Sequence, residues 1–396
     1  MPRRSEPSGL PQEILDAIID ELQYDKKSLK QASLACKALC PRTRVHLFSV
    51  VVIADSTSSD RLRKLITLSP KLALYFQRLQ ISILQMLDIH APAVYGPLTV
   101  IESLVNITHL SLCNGFWCHM PDTVVSSLQS RSYHTIHIDD SFNFRTMGEV
   151  CSLMQNSPDL RQVHFTCEIH PIPECHLDHS LHRTPAPVAL HITDSQDTLV
   201  SQAPGLLKSA LSSHPCPFSF KNIRSLVVDL SGMRAIVLLH LAQYLALPGT
   251  SLKLLHVDHN KQGLSNHLSS TTLDVSRIEN IAITTFRAHL AGGSDILRWW
   301  ISNLSAVNKH NVIRSVTITI RTYTPHQGHP ALDWEDLWMR LDSCLTSYKM
   351  ASLQYVAITF EPRPAEWDAL KAQMEGSFLG LKQSGREVIL DAVAMF

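Results

Sequence analysis

The sequence predicts an α/β chain: an N-terminal three-helix module followed by an irregular solenoid of strand–helix repeats. Three observations carry that prediction. Apolar residues in 10–48 recur with a helical period in three short blocks. From residue 47 onward an apolar triplet, spaced L-x-x-L-x-L, recurs twelve times at separations of 26 to 40 residues. Helix-like segments lie between many of the copies.

The first block starts at Leu10 and Pro11. Proline suits the start of a helix, because its missing N–H would have no intrahelical partner there. Ile14, Leu15, Ile18, Ile19 and Leu22 then follow a helical period, with Glu13, Asp16, Asp20 and Glu21 between them. Asp25 is positioned to cap a second helix carrying Leu29, Ala32 and Leu34. Cys36, Leu39, Val45 and Leu47 give a third apolar series, interrupted by Pro41.

The triplets begin at Leu47, Val50 and Val52 and continue at Phe76, Leu79 and Ile81. Further clear copies start at Ile107, Tyr133, Leu160, Ile223, Leu252, Ile278, Ile313 and Leu353, with weaker ones at Pro187 and Gly385. Alternation within each copy is the signal of a strand. Helices are read at 98–104, 123–128, 147–154, 236–247, 296–307, 337–345 and 367–381, with Asp295 and Asp333 as candidate N-caps. No such unit can bury its apolar face alone, so neighbours must stack. The alternative is a doubly wound α/β domain, but no glycine-rich phosphate loop follows any strand. Two proline-rich or polar insertions are read near 168–187 and 259–272, and a shorter one at 323–330.

Composition narrows the function classes. Lys+Arg and Asp+Glu both number 35 in 396 residues, so no bulk field attracts nucleic acid or an acidic membrane. The N-terminus has no apolar signal-like core, and no apolar run approaches the ~20 residues of a bilayer span. Nine scattered cysteines fit reduced thiols in the cytoplasm or nucleus. Hydrolase, metalloprotease and nucleotide-loop motifs are absent. Cys167, His170, Cys175, His176, His179 and His182 are dense enough to weigh as zinc ligands, but their spacing matches no standard finger. No catalytic, cofactor-binding or metal-binding residue is therefore assigned.

The first block resembles the F-box, in the form common in fungal F-box-like proteins. The matching residues are Leu10-Pro11 with Glu13 and Ile14, the Ile18–Leu22 helix face, Leu29, Ser33-Leu34, Cys36-Lys37-Ala38, Pro41-Arg42 and His46-Leu47-Phe48. Leu39 stands where that family usually has Trp. The triplet region resembles an irregular leucine-rich repeat without its asparagine ladder; Asn260 is one of few candidates for it. The resemblance implies residues 1–9 as a disordered N-terminus, 10–48 as the F-box-like module and 49–396 as the repeat domain. It further implies a substrate receptor of a cullin–RING ubiquitin ligase, with no chemistry of its own. Leu10, Pro11, Ile14, Ile18, Leu29, Leu34, Cys36 and Leu39 are the candidates for an apolar surface that docks the Skp-type adaptor. Some of these must instead hold the helices together. Alternatives are a scaffold whose first helices only cap the repeats, or a zinc protein or unrecognised hydrolase.

The triplet register also nominates a target-binding face. The residue between the last two apolar positions points away from the core. His137, His164, His191 and His256 occupy that position, and Asp139, Asp229 and Asp258 lie two residues further on. The expectation is a pH-sensitive polar groove for a partner's peptide; the alternative is an ordinary solvated strand surface. Among the tryptophans, Trp299 and Trp300 read as core, with one of them as an alternative surface anchor.

Overall fold

The computed structural model describes residues 10–82, 96–139, 141–166, 168–169, 184–193, 203–211, 216–230, 235–259, 271–287, 292–322 and 334–394. The predicted insertions at 168–187, 259–272 and 323–330 lie largely outside the described residues, as do residues 1–9, Cys167, residues 170–183, Asn260 and Asp333. The chain is α/β and divides into two compact units, 1–137 and 138–396.

The first unit opens with α1 (Gln12–Glu21), α2 (Lys26–Ala35) and α3 (Cys40–Leu47). Asp25 caps α2 as its sequence position requires, accepting from the Lys27 and Ser28 amides. Pro41 falls in the first turn of α3, where it costs no helical hydrogen bond, so the third helix starts at Cys40 and not at Cys36. Then come β1 (Val50–Ile53), α4 (Ser56–Leu68), β2 (Arg78–Ser82), β3 (His109–Cys113), β4 (Gly115–Phe116), α5 (Asp122–Gln129) and β5 (Thr135–Ile138). Asp55 and Ser58 form a reciprocal capping box at the start of α4.

Strands β1, β2 and β3 are parallel neighbours in chain order. Their register corrects the first triplet. Val51 and Ile53, not Val50 and Val52, stand beside Leu79 and Ile81. Val50 and Val52 are 47% and 46% exposed, whereas Val51 is 8% and Ile53 0%. A slip of one residue moves every side chain to the other face, and the run Val50-Val51-Val52-Ile53 contains no polar residue to mark which face is which.

The second unit contains β6 (Phe142–Phe144), α6 (Met147–Met154), β7 (Gln162–Phe165), β8 (Glu168–Ile169), β9 (Ala189–Thr193), α7 (Ala203–Leu211), β10 (Ser225–Asp229), α8 (Ala235–Leu245) and β11 (Leu254–Asp258). It continues with β12 (Asn280–Arg287), α9 (Gly292–Ala306), β13 (Ser315–Thr322), α10 (Trp334–Thr346), β14 (Tyr355–Glu361), α11 (Trp367–Ser377), α12 (Leu379–Gln383) and β15 (Glu387–Ala392). Asp295 lies inside the first turn of α9, where it pairs with Arg298 at 3.1 Å, and is not the cap. A short β6–β8 ladder stands apart from the main one.

Within this unit the strands run β7-β9-β10-β11-β12-β13-β14-β15, in chain order and parallel. A doubly wound sheet reverses its order at a switch point; this one does not. One sheet face is closed: Val163, Leu190, Leu226, Leu255, Ile281, Val316 and Val356 form one buried row across the ladder, and the residues two further on form a second. Each such side chain stabilises the fold by about 1.5–3 kcal/mol. The opposite face is half-buried at most positions. The weakest copy is the last, where Gly385 adopts φ +72 in the turn before β15. A left-handed turn there favours glycine over the apolar residue found in other copies.

All four tryptophans of α9 and α10 are buried. Trp299 donates to the Thr271 carbonyl at 2.8 Å and Trp300 to His259 at 2.9 Å, so neither is a surface anchor.

The corrected register of β1 has a direct check. Val51→Asp is expected to destabilise the chain by about 3 kcal/mol or more, because it buries an unpaired charge. Val50→Asp is expected to change stability by ~0.5 kcal/mol at most. Denaturant unfolding of the two variants distinguishes the registers, because the uncorrected one predicts the opposite order.

Candidate functional site

The N-terminal helices separate an inner and an outer apolar set. Ile19, Leu29 and Thr43 are buried and close the trio. Leu29 therefore belongs to its packing, not to its surface. Ile14 and Ile18, 48% and 49% exposed, lie four residues apart along one side of α1, and Leu10, 61% exposed, precedes the helix. Leu34 is 88% exposed at the end of α2; Pro11 and Cys36 are exposed, and Leu39 is half-buried.

One polar clamp fixes α1 against α3. Arg42 donates to both Asp20 oxygens, at 2.5 and 2.7 Å, and the His46 ring lies 2.7 Å from the first of them. A bidentate guanidinium–carboxylate pair sets direction as well as distance. Hydrogen bonds from Arg42 and His46 hold the Asp20 carboxyl down at about 2. Gln12 adds a second tie, donating to the Ala38 carbonyl at 3.2 Å. These ties leave the apolar side of α1 facing outward.

The second candidate is the open face of the strand ladder. His137 is half-buried on β5 in the first unit. In the second unit His164 and His191 are register partners and stack with ring centroids 3.9 Å apart. Val227 then separates them from His256, and Ala282 follows it. The row of histidines is thus a stacked pair and a separate member. Asp139 lies just beyond β5, whereas Asp229 and Asp258 are direct register partners, followed by Thr284, Thr319 and Thr359.

Around Asp258 the face is tightly organised. Arg321 donates to one carboxylate oxygen at 3.2 Å, while the other oxygen is buried and has no hydrogen-bond partner. His256 lies 2.8 Å from the Thr284 hydroxyl. Burial pushes the Asp258 carboxyl up, partly offset by the Arg321 guanidinium, and the His256 imidazole down, partly offset by the Asp258 carboxylate. His256 is consequently neutral at neutral pH and titrates below the usual histidine range. Arg321 was not singled out from sequence, although it lies two residues past Thr319 on the same outward parity.

Directly after Asp258, His259 is fully buried against Trp299 and Trp300. Its Nε2 accepts from Trp300, so the hydrogen sits on Nδ1, which has no partner. Burial lowers this imidazole to about 3.

Among the described residues no group of three or more His, Cys, Asp or Glu side chains is placed to hold a metal. The Cys167–His182 candidates lie outside the described residues. The seven cysteines among the described residues are free thiols. No described helix is long and apolar enough to cross a membrane. No protein-family model matches the chain, and no curated protein matches it.

Two pH effects follow from these geometries. Asp20 is depressed from 3.8 to about 2 in the folded state. Its contribution is present above pH 4 and lost as pH falls toward 2. Protection factors of α1 amides, exchange rates taken relative to the intrinsic rate at each pH, are expected to fall across that window in the wild type, and to be low already at pH 5 in Asp20→Asn. His259 acts at higher pH. The unfolded chain takes up a proton below 6.5, whereas the folded one resists until about 3. Stability should fall by about 1.4 kcal/mol per pH unit on acidification through that range. His259→Gln keeps an acceptor for Trp300 and should flatten the slope in chemical unfolding.

Proposed function

We propose that this chain is the non-catalytic substrate receptor of an SCF-type cullin–RING ubiquitin ligase. Its N-terminal helices hold the Skp-type adaptor, and the open strand face of a leucine-rich-repeat-like solenoid selects a target protein. The mechanism is proximity: two tethered surfaces raise the effective concentration of a target near the ligase. No residue of the chain need touch the reacting atoms, and no cofactor is required.

One observation carries this reading. The trio closes its own interior with Ile19 and Leu29, yet leaves Leu10, Ile14, Ile18 and Leu34 exposed. A helix that served only as a lid would turn its apolar residues inward. An exposed apolar row on α1, backed by the Asp20–Arg42–His46 clamp, suits a partner that buries it. The chain-order ladder with one closed face supports the solenoid half of the reading.

A simple cap remains the second reading, favoured by the edge-to-face contact of Phe48 with Phe76 at 6.4 Å, which ties the end of α3 to the strands. Ile14→Asp combined with Ile18→Asp separates the two. Both sites are exposed, so the fold should persist. Adaptor co-purification should fall by roughly a hundredfold, as expected for two central anchors at ~1–2 kcal/mol each. Failure of the wild type to bind the adaptor would favour the cap.

A further inference from the structure

β15 is the last strand of the ladder and has a neighbour on one side only among the described residues. Its backbone shows which groups are unpaired. The Glu387 and Val393 amides donate to the Gln354 and Phe360 carbonyls of the β14 side, both at 2.9 Å. By alternation, residues 388, 390 and 392 direct their N–H and C=O groups to the open side. The Ala392 amide is met by the Asp391 carboxylate at 2.8 Å, which leaves Val388 and Leu390 as the free donors.

The side chains at this edge are also incomplete. Val388 and Leu390 continue the buried rows of Val356 and Ile358, but they are only half-buried, whereas those two are fully buried. On the other face Glu387, Ile389 and Asp391 are exposed, and β15 contains no basic residue. Free edge strands with apolar side chains template pairing with another chain unless they are blunted by lysine, proline or a bulge. None of these occurs in β15.

We propose that β15 is a docking edge for an extended segment of a partner protein, in which lysine or arginine alternates with apolar residues. The partner would add a strand beside β15. Its backbone would meet the Val388 and Leu390 groups, its apolar residues would cover Val388 and Leu390, and its cations would face Glu387 and Asp391. A second copy of this chain is a poor occupant. It would bring another Glu387 and Asp391 to the same face and supply no cation. The edge shares no residue with the helical face on α1, so the proposal does not rest on adaptor binding.

The test uses the full chain and two fluorescent synthetic peptides, one alternating lysine with valine and one alternating glutamate with valine. Anisotropy should show the lysine peptide binding and the glutamate peptide not. Glu387→Lys with Asp391→Lys changes exposed positions only and should invert that preference, by roughly tenfold in each direction. Leu390→Pro removes one free donor and should abolish binding of either peptide. The proposal is overturned if the wild type binds neither peptide, if the charge-reversed chain keeps the original preference, or if Leu390→Pro binds as well as wild type. It is equally overturned if the wild type sediments as a dimer that Leu390→Pro converts to monomer, since the occupant would then be a second copy.

Discussion

The register of parallel strands is the constraint on which the packed core and the polar face of the strand ladder both depend. Each strand places its neighbour's apolar residues by a backbone ladder that allows only whole-residue steps. Inward rows such as Leu226, Leu255, Ile281, Val316 and Val356 form because successive turns of chain arrive in the same phase. The same phase then puts Asp229 beside Asp258, His164 beside His191, and Thr284 beside Thr319 on the opposite face. A polar face is therefore not built residue by residue. It is a consequence of the apolar one, and loss of the inward phase at one strand would scramble both.

Polar residues on that face still need partners, and the degree of burial decides how they behave. Asp258 is held by Arg321 on one oxygen and by nothing on the other, while His256 leans on Thr284. Burial pulls the His256 imidazole below its ordinary value, partly offset by the Asp258 carboxylate, so this histidine takes up a proton at lower pH than a solvated one. The chemistry of the face at neutral pH is that of a fixed mosaic of carboxylate, guanidinium and hydroxyl groups. The N-terminal trio follows a different logic. A charged clamp orients α1, the interior closes around Ile19 and Leu29, and the leftover apolar side is exposed by geometry.

Much of this was readable from residues 76 onward. Triplets such as Leu160, Val163 and Phe165 alternate cleanly with polar neighbours, so their phase is unambiguous. The first copy was misphased because four consecutive β-branched residues carry no alternation, and only pairing with Leu79 and Ile81 decides the face. The trio shows a similar limit. Helical periodicity places Ile14, Ile18, Ile19 and Leu29 on apolar sides, but it does not say which side meets a neighbour within the chain. Arg321 lies beyond the apolar triplet of its copy, on the two-residue alternation that runs on through β13. Val227 and Ala282 break the histidine row for the simplest reason: an outward position on a crowded face tolerates a small apolar residue.

The central claim is that the outward apolar side of α1 is a docking surface rather than residual packing. Hydrogen–deuterium exchange of the full chain, with and without a purified Skp-type adaptor, reads that surface most directly. The account predicts new protection confined to 10–22 and 34–39, with strands β9 to β15 unchanged. Absence of protection in 10–22 at saturating adaptor, or protection appearing only on the strand face, would contradict it.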